Sequence, residues 1–94
     1  MSLRNHVVVK ESFDITGRGV GIIPIESLPF SLFRKRYRVL LETPNGKRIE
    51  GIASVESILI SVSKKQESFT FFLESLKSND IPENTKISII EELY

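Results

Sequence analysis

The chain has 94 residues and a mass of 10.7 kDa, which is material for one domain with a single modest core. Its 40% hydrophobic and 27% charged content is that of an ordinary globular protein, so a disordered, collagenous or disulfide-stapled chain is excluded. Net charge is +1 and cysteine is absent, so no thiol nucleophile, thiolate metal site or oxidising compartment is called for.

From the N-terminus, Met1-Ser2-Leu3-Arg4 shows no apolar stretch before a cleavage site, and the expectation is a cytoplasmic protein without a signal segment. The longest uncharged apolar run, Val20 to Ile25, is far short of the ~20 residues of a membrane helix. Val7, Val9, Phe13 and Ile15 share one phase of a period-two pattern, while His6, Lys10, Ser12 and Asp14 share the other. That alternation predicts a half-buried strand with the first set inward. Thr16-Gly17-Arg18-Gly19 supplies glycines for a tight reversal. Val20 to Ile25 is then a second strand, in which Pro24 must occupy an edge, a bulge or the last pairing position.

Ser27-Leu28-Pro29-Phe30 reads as a connection. In the next strand Tyr37, Val39 and Leu41 alternate with Arg36, Arg38 and Glu42, so aromatic and aliphatic groups take one face and guanidinium groups the other. Thr43-Pro44-Asn45-Gly46-Lys47 carries the Asn-Gly pair of a two-residue hairpin, for which a type I′ turn with positive φ at both positions is expected. The return strand runs long from Lys47. Its inward phase is odd through Ile49, Ala53 and Val55 and even through Ile58, Ile60 and Val62, which predicts a bulge or sharp bend.

Ser63 to Glu67 is a polar turn, and Phe69, Phe71 and Leu73 form the inward row of a central core strand. Lys77-Ser78-Asn79-Asp80 and Ile81-Pro82-Glu83-Asn84 turn the chain into a last strand with Ile87 and Ile89 in phase. Six strands punctuated by turns, with no long 3.6-residue period, indicate an all-β fold: a small six-stranded antiparallel closed β-barrel spanning residues 1–94.

Two stretches carry a family resemblance. Phe13-Asp14-Ile15-Thr16-Gly17-Arg18-Gly19-Val20 resembles the start of the second domain of elongation factor Tu and related translational GTPases, where a strand ends in Phe-x-Ile-x-Gly-Arg-Gly-Thr and turns directly into the next. Phe69-Thr70-Phe71-Phe72-Leu73-Glu74-Ser75-Leu76, followed by Asp80-Ile81, is similar to that family's late strand and its Asp-Ile turn. The resemblance implies a β-barrel of the translation-protein type and a docking role toward RNA of the tRNA or rRNA kind, or toward a translation-related protein. A GTPase site is not part of it, since no Gly-x-x-x-x-Gly-Lys-Ser/Thr loop is present and GTP binding by this chain alone is not expected.

Charge supplies the candidate site. Residues 34–48 hold six cations, Arg34, Lys35, Arg36, Arg38, Lys47 and Arg48, against Glu42 alone, whereas residues 49–94 carry twice as many acids as bases. Such an island can steer a polyanion or an acidic protein surface, or it can be the solvated face of strands that need charge to block edge pairing. Catalysis is not expected. His6 is the only histidine and lies on a polar phase, no nucleophile elbow presents a serine, and Glu50 with Glu56 or Glu91 with Glu92 are the only carboxylate pairs of interest. Neither a metal nor a cofactor is implied. The expected function is therefore a noncatalytic RNA- or protein-docking module, with a protein-interaction or assembly domain, including a homo-oligomer, as the alternative.

Overall fold

The computed structural model describes residues 6–28, 30–61 and 66–93. Six strands appear in chain order: β1 (His6–Ile15), β2 (Gly19–Pro24), β3 (Arg36–Glu42), β4 (Arg48–Ser61), β5 (Gln66–Leu73) and β6 (Lys86–Leu93). Single turns of 3-10 helix at Phe30–Leu32 and Ser78–Asp80 are the only helical elements among the described residues. All neighbours are antiparallel, and one sheet closes on itself in the order β1-β2-β5-β4-β3-β6, with β6 pairing back to β1. Pro29, Val62 and residues 63–65 of the expected polar turn lie outside the described residues.

Closure creates an inside, and the period-two pattern fills it. Val20 and Ile22 from β2, Tyr37, Val39 and Leu41 from β3, Ala53 and Val55 from β4, and Phe71 and Leu73 from β5 are all nearly inaccessible. Ile81 seals the interior, while Phe69 and Ile89 pack against it partly buried. Thr70 falls between the inward positions of β5 and is nevertheless fully buried, its hydroxyl donating to the Ile22 carbonyl at 2.8 Å. Pro24 sits at the last pairing position of β2, where its missing N–H costs no ladder bond.

Three local expectations are corrected. Phe13 is not inward. The β1–β2 register shifts between Val9 and Glu11, and the extra residue reverses the faces of everything after it. Phe13 is consequently 38% exposed and lies over Gly21, where a Cβ would stand 2.5 Å from its ring. Ser12 instead donates to the Ile81 carbonyl at 2.9 Å, on the side of the loop that seals the interior. The hairpin between β3 and β4 is not type I′ either. Only Gly46 has a positive φ, +93°, and the Gly46 N–H donates to the Thr43 carbonyl, so Pro44-Asn45-Gly46 forms a three-residue loop. Pro44 fixes φ near −65°, a value that belongs to the ordinary turn family and not to its mirror image. Finally, β4 keeps regular pairing through Ser57 and Ile58, and its register shift falls later, between Leu59 and Ser61.

Candidate functional site

Alternation on β3 turns Arg36 and Arg38 outward while Tyr37 points in. Arg36 pairs in register with Ser54, Arg38 with Ile52 and Glu42 with Arg48, and on the other side Arg38 lies opposite Glu91. The expected ribbon of cations thus exists, but carboxylates from three other parts of the chain are interleaved with it. Arg36 meets Glu74 at 2.9 Å, and Arg38 bridges Glu91 at 2.7 Å and Glu50 at 3.5 Å. Arg48 reaches Glu42 at 3.4 Å and Lys35 approaches Glu92 at 4.0 Å. These side chains keep 39–69% of their surface exposed, so each pair contributes only about 0–1 kcal/mol. The electrical effect is larger than the energetic one, because five carboxylates neutralise most of the six cations.

Arg34 and Lys47 have no carboxylate partner among the described residues. Lys47 leaves the hairpin exposed. Arg34 adopts φ +66°, a left-handed conformation that ends the alignment of β3, and its guanidinium lies 5.2 Å from the centre of the Phe33 ring. Its backbone N–H donates to Val55 at 2.8 Å.

One cation was not singled out from charge alone. Arg18, held between Gly17 and Gly19, stacks over Phe72 at 5.4 Å and pairs with Glu56 at 2.6 Å. Glu56 also accepts from the Ser54 hydroxyl at 2.9 Å. Beside this cluster is an open groove of about 630 Å³ lined by the Gly17–Gly19 corner, Ser54, Phe72 and Glu74. The signal lay in the Gly-Arg-Gly run, which fixes the corner from which Arg18 reaches across the sheet.

Titratable groups elsewhere do structural work. Asp14 accepts hydrogen bonds from the Ser78 N–H at 2.8 Å and the Ser78 hydroxyl at 2.7 Å. Those bonds to the charged form hold its carboxyl below the usual range, with Lys77 assisting. The Tyr37 hydroxyl is buried without a hydrogen-bond partner among the described residues, and burial, reinforced by Glu92, pushes its pKa up. His6 and Asp14 stand at opposite ends of β1, roughly 26 Å apart at ~3.3 Å per residue, so they do not form a relay. Glu50 and Glu56, six residues apart along β4, are each engaged by a different arginine and not by one another. No group of three metal-ligating side chains occurs among the described residues, and no helix among them is long and apolar enough to cross a membrane. Comparison with protein-family models, curated proteins and solved structures finds no match.

Proposed function

We propose that this chain is a noncatalytic docking module, built on the plan of the second domain of translational GTPases, and that its partner is a protein. The observation that carries this reading is the charge-balanced ribbon. Phosphate recognition draws its affinity from uncompensated cations that release counterions, and here most of the cations already face carboxylates. A surface of alternating sign suits a protein partner of complementary pattern, since mixed charges fix register and reject wrong partners. RNA docking, the other reading of the family resemblance, would rest on Arg34 and Lys47, the two cations of the island without a carboxylate partner among the described residues.

The test is a titration with a structured RNA such as a tRNA transcript across a range of salt concentrations, using the native chain and the double variant Arg36→Ser, Arg38→Ser. The expected result is no salt-dependent binding by either protein, and a melting temperature for the double variant within about 4–8 °C of native, as exposed pairs of this kind allow. Tight binding by the native chain that falls steeply with salt, whether or not the double variant weakens it, would overturn the protein-docking reading in favour of RNA.

A further inference from the structure

β4 is longer than the strand beside it. Regular pairing with β3 ends at Arg36 opposite Ser54, whereas β4 continues to Ser61 with β5 as its partner. The last bonds on the β3 side are Arg34 N–H to the Val55 carbonyl at 2.8 Å and Val55 N–H to the Lys35 carbonyl at 3.0 Å. There the left-handed conformation of Arg34 takes the chain away from the sheet. Backbone groups alternate sides along a strand, so if Val55 bonds toward β3, Ser57 presents its N–H and C=O in the same direction. No backbone partner for either group is found among the described residues.

The opposite edge of the same hairpin is treated differently. Ser27 and Leu28 cover β5 at Phe69, with the Leu28 N–H donating to the Phe69 carbonyl at 2.8 Å and the Phe69 N–H donating to the Ser27 hydroxyl at 2.8 Å. At Ser57 there is instead a cleft of about 400 Å³ lined by Phe33, Arg34, Ser54, Val55, Glu56 and Ser57. The edge also lacks the usual protection, because Ser57-Ile58-Leu59-Ile60-Ser61 contains neither charge nor proline. The charge of the cleft is one-sided. Glu56 is already held by Arg18, while the Arg34 guanidinium, laid on the Phe33 ring, has no carboxylate among the described residues.

We propose that an extended acidic peptide segment of a partner protein adds as a strand to this edge of β4, hydrogen-bonding Ser57 in the line that β3 vacates and placing a carboxylate on Arg34. Main-chain bonds supply the attachment and the arginine supplies the selectivity, as in other strand-addition complexes. The inference rests on the protein-docking reading above and gives that partner a chemistry and a place.

The probe is a capped synthetic peptide, acetyl-Thr-Val-Glu-Val-Thr-amide, with a lysine in place of the glutamate as its control, followed by amide NMR on the full chain. The expected result is that the glutamate peptide shifts the Ser57 amide and slows its hydrogen exchange at least fivefold, and that the lysine peptide binds at least fivefold more weakly. Ser57→Pro removes an N–H that no ladder bond uses, so the chain should still fold while affinity drops at least fivefold. Arg34→Gly, which accepts the left-handed φ without strain, should lower affinity for the glutamate peptide and abolish the preference over the lysine one. The proposal is overturned by the absence of peptide binding, by shifts centred away from Ser57, by equal binding of both peptides, or by a free protein of twice the chain mass in which Ser57 is already protected. None of these outcomes depends on the RNA titration, so the edge can fail while the docking reading stands.

Discussion

Gly19 shows how a single residue decides whether the first hairpin can join the rest of the sheet. Its φ is +126°, and a Cβ there would collide with the backbone carbonyl oxygen of Leu73 on β5. Two residues earlier, Gly17 also has a positive φ, +78°, but open space surrounds it. Gly19→Ala should therefore cost about 3 kcal/mol or more, because the backbone of a neighbouring strand must move, whereas Gly17→Ala should cost about 1 kcal/mol from conformation alone. Urea midpoints of the two variants measure the difference, and equal losses would contradict the close approach. Both glycines were visible in the sequence as a corner. That one is a turn residue and the other a point of strand contact was not, because the contact is with Leu73, more than fifty residues away. Tyr37 poses the same problem: alternation correctly turns it inward, yet nothing local tells that its hydroxyl goes without a partner among the described residues.

At the scale of elements, the bulge in β1 redirects a whole strand end. By reversing the faces after Lys10 it turns Phe13 out over Gly21 and sends Ser12 and Asp14 to the loop before β6. Period-two reading assumes an unbroken ladder, so it places Val7 and Val9 correctly and Phe13 on the wrong face. Asp14 turns that geometry into a pH dependence. Its folded pKa lies below its unfolded one, so its contribution is complete above the ordinary carboxylate pKa and is lost as pH falls through the lower, folded value. The stability gap between native protein and Asp14→Asn should be constant above the ordinary carboxylate range and close as the solution is acidified through the lower, folded pKa. Thermal melts at a series of pH values would show this. A gap that widens in acid would mean that the Ser78 bonds do not favour the ionised form.

For the molecule as a whole, the ring among the described residues is held most sparsely at two joins, β1 with β6 through three register pairs and β2 with β5. β2 and β5 share only two register pairs, Val20 with Leu73 and Gly21 with Phe72, compared with seven between β3 and β4. Beyond those two pairs the Thr70 hydroxyl carries the join to the Ile22 carbonyl. Thr70→Val leaves that buried carbonyl unpaired and should cost about 1–2 kcal/mol. Native-state hydrogen exchange should then speed up in β2 and β5 before β3 and β4, and uniform acceleration around the ring would contradict a local seam. The all-β class and the six strands were legible because each strand announces itself by alternation and each turn by glycine or proline. The neutralisation of the basic island was not, since Glu74, Glu91 and Glu92 reach it only once the sheet has closed. Strand order escaped for the same reason, being a matter of long-range pairing.

The interleaved charges bear on strand alignment as well. β6 lies against β3 and carries three isoleucines, Ile87, Ile89 and Ile90, whose hydrophobicity alone does not fix the register. A slip that brings Ile90 opposite Arg38 sets the guanidinium against an aliphatic side chain and strands Glu91 without its counterion. The surface lattice thus penalises that misalignment, although it adds little to the stability of the finished molecule.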